Sequence, residues 1–161
     1  MPSFDVVSEI NMQEVDNAIN QARKEISTRY DFRGSKSEIK IEKEEITIIA
    51  DDDYKLRAVK DILESKLVKR GVSLKSLDYQ KEEEAAMGTK RQLVKLINGL
   101  TKEKAKEVVA FVRDAKFKVQ PAIEAEHVRV SGKSIDELQN VIQALKSKDL
   151  GVPLQFTNMR S

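Results

Sequence analysis

Ser131-Gly132-Lys133-Ser134 is the stretch of this chain best suited to holding an anion. It follows an alternating, strand-like pattern and precedes a helical one. In that setting backbone N–H groups and a helix dipole attract phosphate. A complete phosphate-binding loop needs a glycine five positions before Gly132. That position is His127, so only the end of the motif is present. A plainer reading stands beside it, in which Gly132 permits a turn and Ser134 caps the helix. The matching stretch earlier in the chain is Asp51-Asp52-Asp53, which repels phosphate. An anion site of this kind therefore belongs to the second half of the chain only.

Two further groups have the right side chains for recognition. Period-two alternation puts His127, Arg129 and Ser131 on one face of a strand and Val128 and Val130 on the other. Such a polar face suits phosphate or a base edge, and equally suits plain solvation. Asp31-Phe32-Arg33-Gly34-Ser35-Lys36 interleaves an aromatic with two cations. That combination can stack on a base and neutralise phosphate, or can be a helix end with Phe32 in the core. His127 is the one histidine, and no nucleophile or orienting carboxylate stands at a recognisable spacing from it. The acidic runs Asp51 to Asp53 and Glu82 to Glu84 sit in charged turns. No residue pattern argues for an enzyme, and the two sheets lack the stacking aromatics of an RNA-recognition fold on their central strands.

The elements that position these residues occur twice. Ile46-Thr47-Ile48-Ile49-Ala50, leading to Leu56, Val59 and Leu63, recurs at an offset of 82 as Val128 to Gly132, leading to Leu138, Val141 and Leu145. Gly71-Val72-Ser73-Leu74 then matches Gly151-Val152-Pro153-Leu154 at an offset of 80. Around this core, residues 4–9 read as a strand. Met12, Val15, Ile19, Ala22 and Ile26 lie on one helical face behind Asn11. Residues 38–42 and 45–50 form a hairpin, and 54–70 and 74–79 a helix and a strand. After a charged, then small linker at Lys81 to Gly88, the same order repeats through helices opened by Thr101 and Ser134, the latter a capping box with Glu137. The expected class is α+β: two tandem ferredoxin-like βαββαβ units, residues 1–84 and 85–161, each an antiparallel four-stranded sheet with two helices on one face.

Composition agrees with two small cores under solvated surfaces: 161 residues, 40% hydrophobic and 35% charged. Net charge is +2, from 29 basic and 27 acidic residues, so backbone charge alone does not make it a strong nucleic-acid binder. No cysteine is present, which removes disulfides, thiol catalysis and thiolate metal sites. The first residues carry neither a basic nor an apolar signal region, and no apolar run reaches membrane-spanning length. A cytoplasmic protein with no membrane partner and no cofactor is expected.

Several stretches in order along the chain carry a resemblance to a known family. They are residues 2–9, Thr28-Arg29-Tyr30-Asp31-Phe32-Arg33-Gly34, Lys69-Arg70-Gly71, Val119-Gln120, Val128 to Ser134, and Asp149 to Phe156. Together they resemble the YajQ family of bacterial proteins, whose members often carry Trp where this chain has Tyr30. The resemblance implies two ferredoxin-like domains with exchanged first strands, and nucleotide binding without catalysis. It implies GTP, ATP or cyclic di-GMP as ligand, with RNA, DNA or a transcriptional regulator as further partners. The expected nucleotide-binding residues are the cations Arg29, Arg33, Arg129, Lys133 and Arg160, with Tyr30 or Phe32 stacking on the base.

Overall fold

Each of the four α-helices opens on a side chain that takes over an amide the helix leaves unpaired. The computed structural model describes residues 1–161. In it, Asn11 Oδ1 accepts the N–H groups of Gln13 at 3.1 Å and Glu14 at 3.3 Å to open α1 (Met12–Thr28). Asp52 does the same for α2 (Asp53–Lys69), Thr101 for α3 (Lys102–Asp114) and Ser134 for α4 (Ile135–Ser147). No helix is long and apolar enough to cross a membrane.

The strands are β1 (Ser3–Val7), β2 (Glu38–Glu42), β3 (Glu45–Ala50), β4 (Leu77–Tyr79), β5 (Glu83–Glu84), β6 (Lys90–Leu96), β7 (Val119–Glu124), β8 (His127–Gly132) and β9 (Gln155–Arg160). The fold is α+β, with two antiparallel sheets and four helices. It divides into two compact units, a continuous one of Ile10–Ile97 and a discontinuous one of Met1–Glu9 with Asn98–Ser161.

In the continuous unit the sheet order is β2-β3-β6-β4, with β5 pairing along β6. Helices α1 and α2 cover one face, and Ile19, Ile46, Ile48, Leu56, Leu63 and Leu67 fill the space between. The stretch from Leu74 to Tyr79 is a strand only from Leu77 onward, because Ser73 caps a single 3-10 turn over Leu74–Ser76. Glu83 and Glu84, within a segment that composition presents as a linker, pair with Arg91 and Lys90 of β6 and carry ion pairs to both.

In the discontinuous unit the order is β7-β8-β1-β9, so the first strand of the chain is central in a sheet otherwise built from the last third. Both units thus have the ferredoxin-like strand order, with β1 and β6 each serving the unit that the following helix does not belong to. Alternation explains how β1 fits. Phe4 and Val6 point into the core of Val128, Val130, Leu138 and Leu145. Asp5 points to the opposite face of the sheet, directly across from Arg129.

Asp5 is only 7% exposed, and its carboxylate is fully engaged. Arg129 donates to it through Nε at 2.9 Å and Nη2 at 3.4 Å, and Asn158 Nδ2 donates at 2.9 Å. Asn158 reaches inward because the β1–β9 register shifts there and its φ is 57°. The Arg129 hydrogen bond, supported by Asn158 and opposed by burial, holds the Asp5 carboxyl below its ordinary value of 3.8. Arg129 also pairs with Glu124 at 3.2 Å.

Two outcomes follow from this strand. Phe4→Ala should destabilise the protein by about 3–5 kcal/mol in urea unfolding. Faster amide exchange should appear in β8 and β9, the two neighbours of β1, and unchanged exchange there would refute the central placement. Asp5 has a lowered folded pKa, so its stabilisation is fully present above 3.8 and is lost as pH falls through the lowered value. Asp5→Asn should therefore lower the melting temperature at neutral pH and flatten its fall below pH about 4; a parallel, merely shifted acid limb would show that Asp5 does not titrate this way.

Candidate functional site

The end of β8 forms one wall of a cleft in the discontinuous unit. Val128 and Val130 alternate into the core, which brings Gly132 against the start of β7. A Cβ on Gly132 would lie 3.1 Å from Val119 Cγ1 and 3.4 Å from the Lys118 carbonyl oxygen. Glycine is needed there for space, not for a left-handed turn. The chain then leaves the sheet through Lys133, and Ser134 Oγ accepts the Glu137 N–H at 3.4 Å to start α4. The second half of the capping box is diverted, since Glu137 Oε1 accepts the Lys118 N–H at 3.2 Å. The N-terminus of α4 is thereby tied to the approach to β7.

Between these two segments lies a cleft of about 440 Å³ whose walls include Phe117, Lys118, Gln120, Ser131, Lys133 and Ser134. Lys133 is exposed and has no carboxylate partner. The positive end of α4 faces the same region, although Asp136 and Glu137 in its first turn offset part of that field. Two cations, hydroxyls, an amide, an aromatic ring and the Glu137 carboxylate therefore converge on a space of small-molecule size. No group of three or more His, Asp or Glu side chains converges to hold a metal ion.

The other residues expected from sequence meet different fates. Arg129 is spent on Asp5 and Glu124, and Arg160, exposed at the end of β9, donates through Nε to Asn158 Oδ1 at 3.4 Å. In the continuous unit, Arg29 pairs with Asp31 at 2.7 Å and Glu25 at 3.4 Å. Its guanidinium lies 5.3 Å from the centre of the Phe32 ring. Phe32 itself is buried, with Lys55 Nζ 4.8 Å from the same ring, so no face of it is open to a base. Tyr30 differs: it is 81% exposed, and Arg33 sits 5.4 Å from its ring centre. Arg33 has no carboxylate partner.

Lys133 thus belongs to the α4 cleft, and Tyr30 with Arg33 forms a separate exposed pair in the other unit. Phe117 and Lys118 enter the cleft without having been singled out from sequence, and Gln120 had been noted only within the Val119-Gln120 stretch that carries the resemblance. Their signal was the hairpin itself, since a strand paired in register with Val128 to Gly132 must pass beside Lys133.

Comparison with known proteins finds matches over nearly the whole chain. A family model described as "Nucleotide-binding protein YajQ-like" matches residues 2–160. A protein of Trichlorobacter lovleyi named "Nucleotide-binding protein" is 58% identical over 160 residues, 99% of each chain. One of Geobacter metallireducens with the same name is also 58% identical over 160 residues, again 99% of each. One of Geobacter sp. strain M21, likewise named a nucleotide-binding protein, is 56% identical over 161 residues, 100% of each. With the match running almost from end to end and relatives of equal length, the chain belongs to the YajQ-like family.

Proposed function

We propose that this protein binds a nucleotide without catalysis, and that the ligand seats its phosphate in the cleft at the start of α4. The observation that carries the reading is the convergence of unpaired Lys133 with Ser131, Ser134 and Gln120 around about 440 Å³ beside a helix N-terminus. The names of its relatives support nucleotide as the ligand class. Within that class a guanine nucleotide, cyclic di-GMP or GTP, fits best. Glu137 Oε1 is taken by the Lys118 amide, which leaves Oε2 as a single acceptor for one N–H of the guanine edge. Adenine sets a ring acceptor beside its exocyclic amine, and a carboxylate repels that acceptor. The cleft contains no paired nucleophile and general base, which favours binding over turnover. Occupancy of the cleft would then alter contacts with a transcriptional regulator or DNA.

A second reading, RNA association, draws on the continuous unit. Tyr30 with Arg33, and Tyr54, 66% exposed, with Lys55 5.9 Å from its ring centre, are aromatic faces with adjacent cations. Such pairs stack bases with little regard for sequence.

Calorimetric titration of the nucleotide-stripped protein with cyclic di-GMP, GTP and ATP tests the first reading. Saturable binding of a guanine nucleotide, weakened by about 1–3 kcal/mol in Lys133→Ala, is the expected result. Equal affinity in a folded Lys133→Ala protein would remove the cleft from the reading. For RNA, Tyr30→Ala should weaken a single-stranded oligonucleotide by about 1–3 kcal/mol, with affinity falling steeply as salt rises. Insensitivity to both would leave the tyrosines with no part in RNA binding.

A further inference from the structure

The discontinuous unit carries a second concavity, of about 540 Å³, where α3 runs beside β7. Its floor is apolar, formed by Val109, Ala110, Pro121 and Ile123, and its rim carries Lys106 and Arg113. Residues 106, 109, 110 and 113 share one face of a helix, so the two cations flank the floor at a separation of roughly 10 Å along the axis. Neither cation is neutralised: the ion pair on α3 is Lys104 with Glu107 at 3.1 Å, and no carboxylate lines the groove. Ile123 is a large apolar side chain left 43% exposed at the edge of a sheet.

We propose that this groove docks an acidic amphipathic helix of a partner protein. Charge complementarity argues for the occupant. Carboxylates seven residues apart on a helix are also separated by roughly 10 Å, which matches the spacing of Lys106 and Arg113, and apolar side chains between them would meet the floor. An added strand, whether from a peptide or from a second copy of this chain, is disfavoured. Although β7 is an edge strand, Pro121 has no N–H to offer a ladder. Single-stranded RNA would find the two cations but no aromatic platform on this floor.

The test uses the full chain, labelled with nitrogen-15. It is titrated with a synthetic helical peptide carrying leucines on one face and glutamates seven positions apart, with single-stranded RNA in parallel. Saturable amide shifts over residues 106–113 and 121–123 are expected with the peptide. The double variant Lys106→Glu/Arg113→Glu should weaken the peptide at least about tenfold, since each rim charge turns from attraction to repulsion. Both side chains are exposed, so the fold should persist with a melting temperature only a few degrees lower, about the cost of a carboxylate in the last turn of α3. Ile123→Ser should weaken the peptide without changing the salt dependence, which separates floor from rim. No saturable shifts, shifts centred on other elements, equal affinity in the charge-reversed variant, or tighter RNA binding on the same amides would each overturn the proposal.

Discussion

The sheet of the discontinuous unit depends on a strand supplied from the opposite end of the chain. Without β1, strands β8 and β9 have no common neighbour, and Val128 and Val130 lose the aromatic layer that Phe4 adds to their core. The position is specified twice, by Phe4 and Val6 on the buried face and by the Asp5 carboxylate on the other. A shift of one residue would turn Asp5 into the core and Phe4 onto the polar side beside Arg129. Burial and ion pairing therefore select the same register. The cleft inherits that register, because Gly132, at its base, donates its N–H to the Pro2 carbonyl at 3.1 Å.

The electrostatics of the molecule separate cations that hold structure from cations that are free. Arg129 and Arg29 are each shared between two carboxylates, and Lys104 joins Glu107 and the Leu150 carbonyl. Lys133, Arg33, Lys106 and Arg113 are not so committed. A near-neutral chain can still offer localised positive charge in this way.

Much of the fold was legible in the pattern of apolar residues. Ile46 and Val128, Leu56 and Leu138, and Val59 and Val141 are pairs at the repeat offset, and every one is fully buried in its own core. Alternation and helical spacing are local properties, so they identify elements and inward faces reliably. They do not name partners: nothing within Ser3 to Val7 says which strands it joins, and two glutamates in a charged run give no sign of joining a sheet. Capping residues were readable because the donor they satisfy lies two or three positions away. The availability of Arg129 was not readable, since its commitment to Asp5 arises from strand pairing across 124 positions. Phe32 shows the same limit. Sequence left it open between stacking on a base and a place in the core, and only packing shows that it is buried.

The central place of β1 has a consequence for synthesis. It leaves the ribosome before β8, its neighbour, which follows about 120 residues later, a wait of roughly 6–24 s at ordinary elongation rates. Throughout that interval Phe4, Val6 and Val7 have no sheet to enter, whereas the continuous unit between them can already fold. A nascent strand with a carboxylate between two core positions is a poor template for pairing with its own kind. Asp5 thus protects during translation the same segment that it later anchors.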